Sequence, residues 1–145
     1  MKVSQKTILI LAGFGVGGCT SISVEPMSGA SKIEHACIQE NPKVIREDML
    51  PTVQKGFKNH GIRTTVYRDA LPESCEYIVT YTATQTWDMA MVLKDAEIWI
   101  HKSGEQVGYG NYHLKGGGGF SLMKWQGAEK KILPMIDELL TGYKK

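Results

Sequence analysis

The segment 77–87, YIVTYTATQTW, constrains the fold most. Tyr77, Val79, Tyr81 and Ala83 alternate with Thr80, Thr82, Thr84 and Thr86, a period of two rich in aromatic and β-branched residues. That pattern predicts a half-buried antiparallel strand with its threonine row toward solvent. Residues 95–114 predict a hairpin turning at Ser103-Gly104. The register sets Lys102 opposite Glu105, Ile100 opposite Val107, Trp99 opposite Gly108 and Ile98 opposite Tyr109. Ile98, Ile100, Val107 and Tyr109 then share the core face, and the indole of Trp99 covers a bare glycine on the other. Residues 32–39 and 62–68 add shorter strands, with Ser21 to Val24 a further short one.

Two helices complete the pattern. Asn41-Pro42 carries a helix-start signal, because Asn caps free amides and Pro at the first position loses no hydrogen bond. Ile45, Met49, Val53 and Phe57 follow four apart as an apolar stripe, and Asn59-His60-Gly61 is the stop. Pro51 then falls inside the helix and is expected to kink it near Glu47. A second helix over about 125–141 buries Ile132, Leu133, Ile136, Leu139 and Leu140, encloses Pro134 and stops at Gly142. The expected class is α+β: an antiparallel sheet of four to five strands with two helices on one face, in the order β-α-β-β-β-β-α.

The first 18 residues read as an address. Lys2 and Lys6 precede an apolar run from Thr7 to Val16, too short to span a bilayer, and small residues lead to Cys19. Val16-Gly17-Gly18-Cys19 resembles a bacterial lipobox, although Val16 stands where Leu is usual. The resemblance implies diacylglyceryl attachment to the Cys19 thiol and cleavage before it; a plain secretion signal is the alternative. The expected organisation is a signal peptide over 1–18, a lipidated tether over 19–31 and one domain over 32–145. Thr20 follows the anchor where, in similar lipoproteins, Asp favours inner-membrane retention, so outer-membrane sorting is expected.

Charge supports attachment through lipid. Losing two lysines from 17 basic residues leaves 15, equal to the 15 acidic ones. That balance gives no grip on nucleic acid and little on an anionic surface, whereas a multiply acylated cysteine is a stable anchor. With Cys19 lipidated, Cys37 and Cys75 remain of three cysteines. An exported chain meets an oxidising compartment, so a structural disulfide is expected, with two buried free thiols as the alternative.

Signals for chemistry are sparse. His35, His60, His101 and His113 show no metal-ligand spacing, and Ser121 lies in no Gly-x-Ser-x-Gly elbow. No metal, cofactor or catalytic residue is expected. The unusual segment is 113–125, HLKGGGGFSLMKW. It lacks the Gly-Lys-Ser/Thr ending of a phosphate loop, and a flexible connection is its plainest reading. Yet Phe120, Leu122, Met123 and Trp125 are apolar for a loop, and Lys115 and Lys124 flank them. An apolar tip between lysines suits a protein partner or a membrane interface. Lys115, Gly116, Gly117, Gly118, Gly119, Phe120, Lys124 and Trp125 are therefore the candidate partner-binding residues.

Residues 115–125, together with Glu40-Asn41-Pro42-Lys43-Val44, Tyr81-Thr82-Ala83, Trp87-Asp88 and Ile136-Asp137-Glu138-Leu139-Leu140, resemble a small proteobacterial family known as Sbal-type lipoproteins. The resemblance covers nearly the whole mature chain. It implies a lipid-anchored envelope protein with no established activity and no catalytic residues. The α+β plan is also similar to small accessory lipoproteins of envelope transport machines. The expected function is a non-enzymatic, periplasm-facing binding or accessory module held in the bilayer through Cys19, with an envelope protein as partner. The alternatives are a periplasmic hydrolase using His35 or His113 beside the glycine loop, and an inhibitor presenting that loop.

Overall fold

In a computed structural model, residues 20–28, 33–115 and 122–141 are described. They form β1 (Thr20–Glu25), β2 (His35–Gln39), α1 (Met49–Asn59), β3 (Arg63–Tyr67), β4 (Tyr77–Trp87), β5 (Met91–Lys102), β6 (Glu105–Leu114) and α2 (Ala128–Leu139). A 3-10 turn, Leu122–Trp125, precedes α2. The class is α+β, with strands in the spatial order β1-β6-β5-β4-β2-β3.

The sheet has six strands and is mixed, where four to five antiparallel strands were expected. The α1 crossover returns the chain to the end of the sheet where β2 began, so β3 pairs with β2 in parallel. The loop 68–76 repeats that return without a helix, and β4 joins the other edge of β2, also in parallel. Ala36 and Ile38 point into the core, so Cys37 between them points to the outer face, yet it is fully buried. The returning loop covers it, and Cys75 in that loop is bridged to Cys37 with 5.7 Å between Cα atoms.

The alternation of β4 holds from Tyr77 to Ala83, with Tyr77, Val79 and Tyr81 buried. The hairpin turns at Ser103 and Gly104, whose φ values of 51° and 83° mark a type I′ turn. Its register is corrected by one residue beyond the turn. Lys102 pairs with Glu105, but a bulge between Ile100 and His101 sets Ile100 opposite Gly108, Trp99 opposite Tyr109 and Ile98 opposite Gly110. Ile98 and Ile100 keep the core face, while Tyr109 moves to the outer face, its ring 5.7 Å from that of Trp99. The glycines opposite the isoleucines admit α2. A Cβ on Gly110 would lie 3.0 Å from Met135, and one on Gly108 3.1 Å from Leu139.

Helix α1 starts at Met49, not at Asn41. Asn41 spends its cap chemistry on a turn: its side chain accepts from the Lys43 amide at 3.0 Å and donates to the Tyr81 carbonyl at 3.0 Å. Ile45 is consequently exposed rather than part of a stripe. Pro51 falls in the first turn, where amides have no partner within the helix, so the expected kink near Glu47 has no cause. Asp48 stands at the start of α1 but caps α2, its Oδ2 accepting from the Ala128 amide at 2.8 Å. In α2, Ile132, Ile136 and Leu139 are buried, as is Leu140 just beyond it, while Leu133, expected on that face, is only half-buried and Pro134 lies on the exposed side. The Gly142 stop lies outside the described residues.

Within the expected tether over 19–31, the short strand expected from Ser21 to Val24 is present. From Thr20 the chain is already the edge strand β1, paired with β6 from Thr20 opposite Leu114 to Glu25 opposite Tyr109. Met27 is buried in the core, and its amide donates to the Leu139 carbonyl at 2.9 Å.

Candidate functional site

Antiparallel pairing brings three chain segments to one end of the sheet. They are the start of β1, the end of β6, and the β4–β5 hairpin, where Trp87 pairs with Met91. The Leu122–Trp125 turn joins them through contacts with Asp88. The Trp125 indole Nε1 donates to the Asp88 carbonyl at 2.8 Å, and the Lys124 ammonium pairs with the Asp88 carboxylate. The Asp88 amide closes the hairpin on the Ala90 carbonyl at 2.8 Å.

This clasp presents an apolar rim. Trp87, Met89 and Met91 come from the hairpin and Leu122, Met123 and Trp125 from the turn. Met89 is 82% exposed, Leu122 78% and Trp87 72%, values normally found for charged side chains. Met89 also has φ of 57°, a left-handed conformation that disfavours a side chain. The hairpin tip thus keeps an apolar residue where Gly or Asn would fit without strain.

A part-buried polar cluster around the buried Lys131 fixes the rim to the domain. The Lys131 ammonium donates to the Lys124 carbonyl at 2.5 Å and lies 5.9 Å from the centre of the Tyr112 ring. Arg46 pairs with Asp48 at 2.7 Å, and Asp48 caps α2. Burial first, and then the charge of Arg46, pull Lys131 down to about 8 against the opposing pull of Asp48. Burial works against the Asp48 charge, but its bonds from Ala128 and Arg46 outweigh that and keep the carboxyl below its ordinary value.

The sequence candidates are distributed as follows. Trp125 is on the rim. Lys115 is exposed at the end of β6. Lys124 does not flank an apolar tip as expected: it is buried, held by Asp88, with its ammonium 4.5 Å from the centre of the Trp125 ring. Cys19, Gly116, Gly117, Gly118, Gly119 and Phe120 lie outside the described residues. Sequence reasoning missed Trp87, Met89 and Met91. The available signal was Trp87-Asp88-Met89-Ala90-Met91, three large apolar residues around a turn where polar ones are usual.

The histidines do not converge. His35 Nε2 meets Thr65 Oγ1 at 2.8 Å, near the start of β2, while His113 pairs with Asp95 near the end of β6. Pairing through β4 and β5 sets these levels eight residues apart, about 26 Å at roughly 3.3 Å per residue, so His35 is far from the end of β6. His60 ends α1 and meets Asp137 at 2.8 Å. On the outer face Asp95 also accepts from Thr84 Oγ1 at 3.1 Å. Burial opposes its charge, and the bonds from His113 and Thr84 with the charges of His113 and Lys94 outweigh it, leaving the carboxyl below its ordinary value.

No family model matches the chain, and no curated protein matches it. Among solved structures the chain is similar to PelC from Paraburkholderia phytofirmans, described as a dodecamer in two crystal forms. A leucine-to-methionine variant of PelC superposes with a TM-score of 0.56 at 9% identity, covering 87% of this chain and 99% of PelC. The second form gives 0.56 at 8% identity, covering 86% and 99%. At these identities the likeness is one of fold.

Proposed function

We propose that this chain is a lipid-anchored, non-enzymatic accessory or binding module of the cell envelope, attached through Cys19 and facing the periplasm from the outer membrane. The observation that carries this reading is the place of β1. Its first residue, Thr20, directly follows the candidate lipidation site in sequence and lies at the end of the sheet that bears the apolar rim. A lipid on Cys19 would hold that end against the membrane with no linker between. The lipobox-like Val16-Gly17-Gly18-Cys19 and the resemblance to Sbal-type lipoproteins support the same anchor.

The test is incorporation of radiolabelled palmitate with membrane fractionation, wild type against Cys19→Ala. Label in the wild type that disappears in the variant, with the wild type in the outer membrane, is the expected result. An unlabelled wild type overturns the anchor and makes this a freely exported domain.

The fold shared with a dodecameric protein favours a refinement, in which several copies work together in one envelope assembly. Light scattering on the detergent-solubilised, lipidated protein reads this directly. A monomer at all concentrations removes it.

A further inference from the structure

We infer that the apolar rim is a membrane-seating surface, in which Trp87, Met89, Met91, Leu122, Met123 and Trp125 insert at the boundary between lipid headgroups and acyl chains. The inference rests on the anchor reading above and adds which surface faces the lipid and how deep it sits.

Depth follows from register. Thr20 is opposite Leu114, and His113 is opposite Asp95, so Lys94 stands level with Leu114 and Thr20. From Lys94 the hairpin runs three residues further to Met91 before its turn. At about 3.4 Å per residue the tip therefore projects about 10 Å beyond Thr20. The Cα of Cys19 lies only about 3.8 Å from that of Thr20, and its side chain with a glyceryl arm spans several ångströms more. A lipid on Cys19 can therefore reach the depth of the hairpin tip. Interfacial protein segments bury their apolar faces by about 5–10 Å into this layer.

Composition matches that placement. Tryptophan is favoured at the interface because its ring is apolar and its N–H is polar. Two of the three tryptophans of the chain, Trp87 and Trp125, are on the rim. The acid at the tip, Asp88, is held by Lys124 rather than presented to lipid. Exposed Lys94 and Lys115 stand behind the tip, where long side chains reach phosphate groups. Met89 gives an independent reason. Its side chain is 82% exposed on a left-handed backbone, so it returns little packing to the fold for that strain.

The experiment uses the full lipidated protein reconstituted into vesicles of phosphatidylethanolamine and phosphatidylglycerol. A fraction of the lipid carries brominated acyl chains, which quench nearby indoles. Flotation first reports attachment, and tryptophan emission then reports seating. The expected result is at least a twofold loss of emission, mostly abolished in the double variant Trp87→Phe with Trp125→Phe and preserved in Trp99→Phe. Met89→Gly, which removes little packing, should float normally and lose part of the quenching. Protein that floats but keeps unquenched indoles, open to aqueous iodide, overturns the seating and leaves the anchor standing. Indoles shielded from iodide in native outer membranes yet untouched by brominated lipid place a protein on the rim and also overturn it. Protein that does not float overturns the anchor and the seating together.

Discussion

Lys131 shows how one residue couples the rim to the core. Its ammonium is buried beside Arg46, yet it donates to the Lys124 carbonyl and so holds the turn that carries Trp125. Folded Lys131 titrates at about 8, below its ordinary value of 10.5. Between those values the unfolded chain binds more protons, so the contribution of this residue to stability rises with pH and is lowest below pH 8. Urea midpoints at pH 7.5 and 9.5 should therefore rise for wild type relative to Lys131→Met, whose midpoint lacks that dependence. Met89 supplies the converse case. Relief of its left-handed backbone gains about 1 kcal/mol, and a glycine costs about 0.5–1 kcal/mol in unfolded-state entropy. Met89→Gly should leave stability equal or higher by up to about 0.5 kcal/mol in urea unfolding. A clear loss would mean that the side chain belongs to the fold.

At the scale of elements, local chemistry was legible and pairing was not. The period of two in β4 and the Ser103-Gly104 turn are written in adjacent residues, and both were readable. The bulge at Ile100 and His101 leaves no local mark, so Trp99 was set opposite the wrong residue. Asn41-Pro42 misled because the same cap chemistry serves a helix or an isolated turn, and only the Tyr81 carbonyl across the fold decides which. Parallel pairing of β2 was implicit in the strand-helix-strand order but needed the crossover to be weighed. The contact between helices gives the prediction at this scale. A methyl on Gly56 would lie 2.7 Å from two carbons of Ile136, a β-branched side chain with little freedom to yield. Gly56→Ala should destabilise by about 1–3 kcal/mol through overpacking, although alanine favours a helix by about 1 kcal/mol. Thermal or urea unfolding measures it.

For the whole molecule, the loop 68–76 and its bridge close the parallel half of the sheet. Cys37 and Cys75 are 38 residues apart. Removing the bridge in Cys37→Ser with Cys75→Ser should lower stability by about 4 kcal/mol in the chain-entropy model, read as a shift in the urea midpoint. The candidate site was half legible at this scale. The apolar character of Leu122, Met123 and Trp125 was visible in the sequence. Their union with Trp87, Met89 and Met91 was not, because it depends on which strand ends share an edge and on the reach of Asp88.

The edge position of β1 has a mechanical consequence. Thr20 is the first residue of a strand joined to β6 by six successive antiparallel pairs. A pull applied at Thr20 along the strand loads those pairs together in shear, instead of opening them one at a time as a sideways peel would. Drag on the domain would therefore be resisted by the full length of β1. In single-molecule stretching, extension from Thr20 along the strand should rupture at higher force than extension across the sheet.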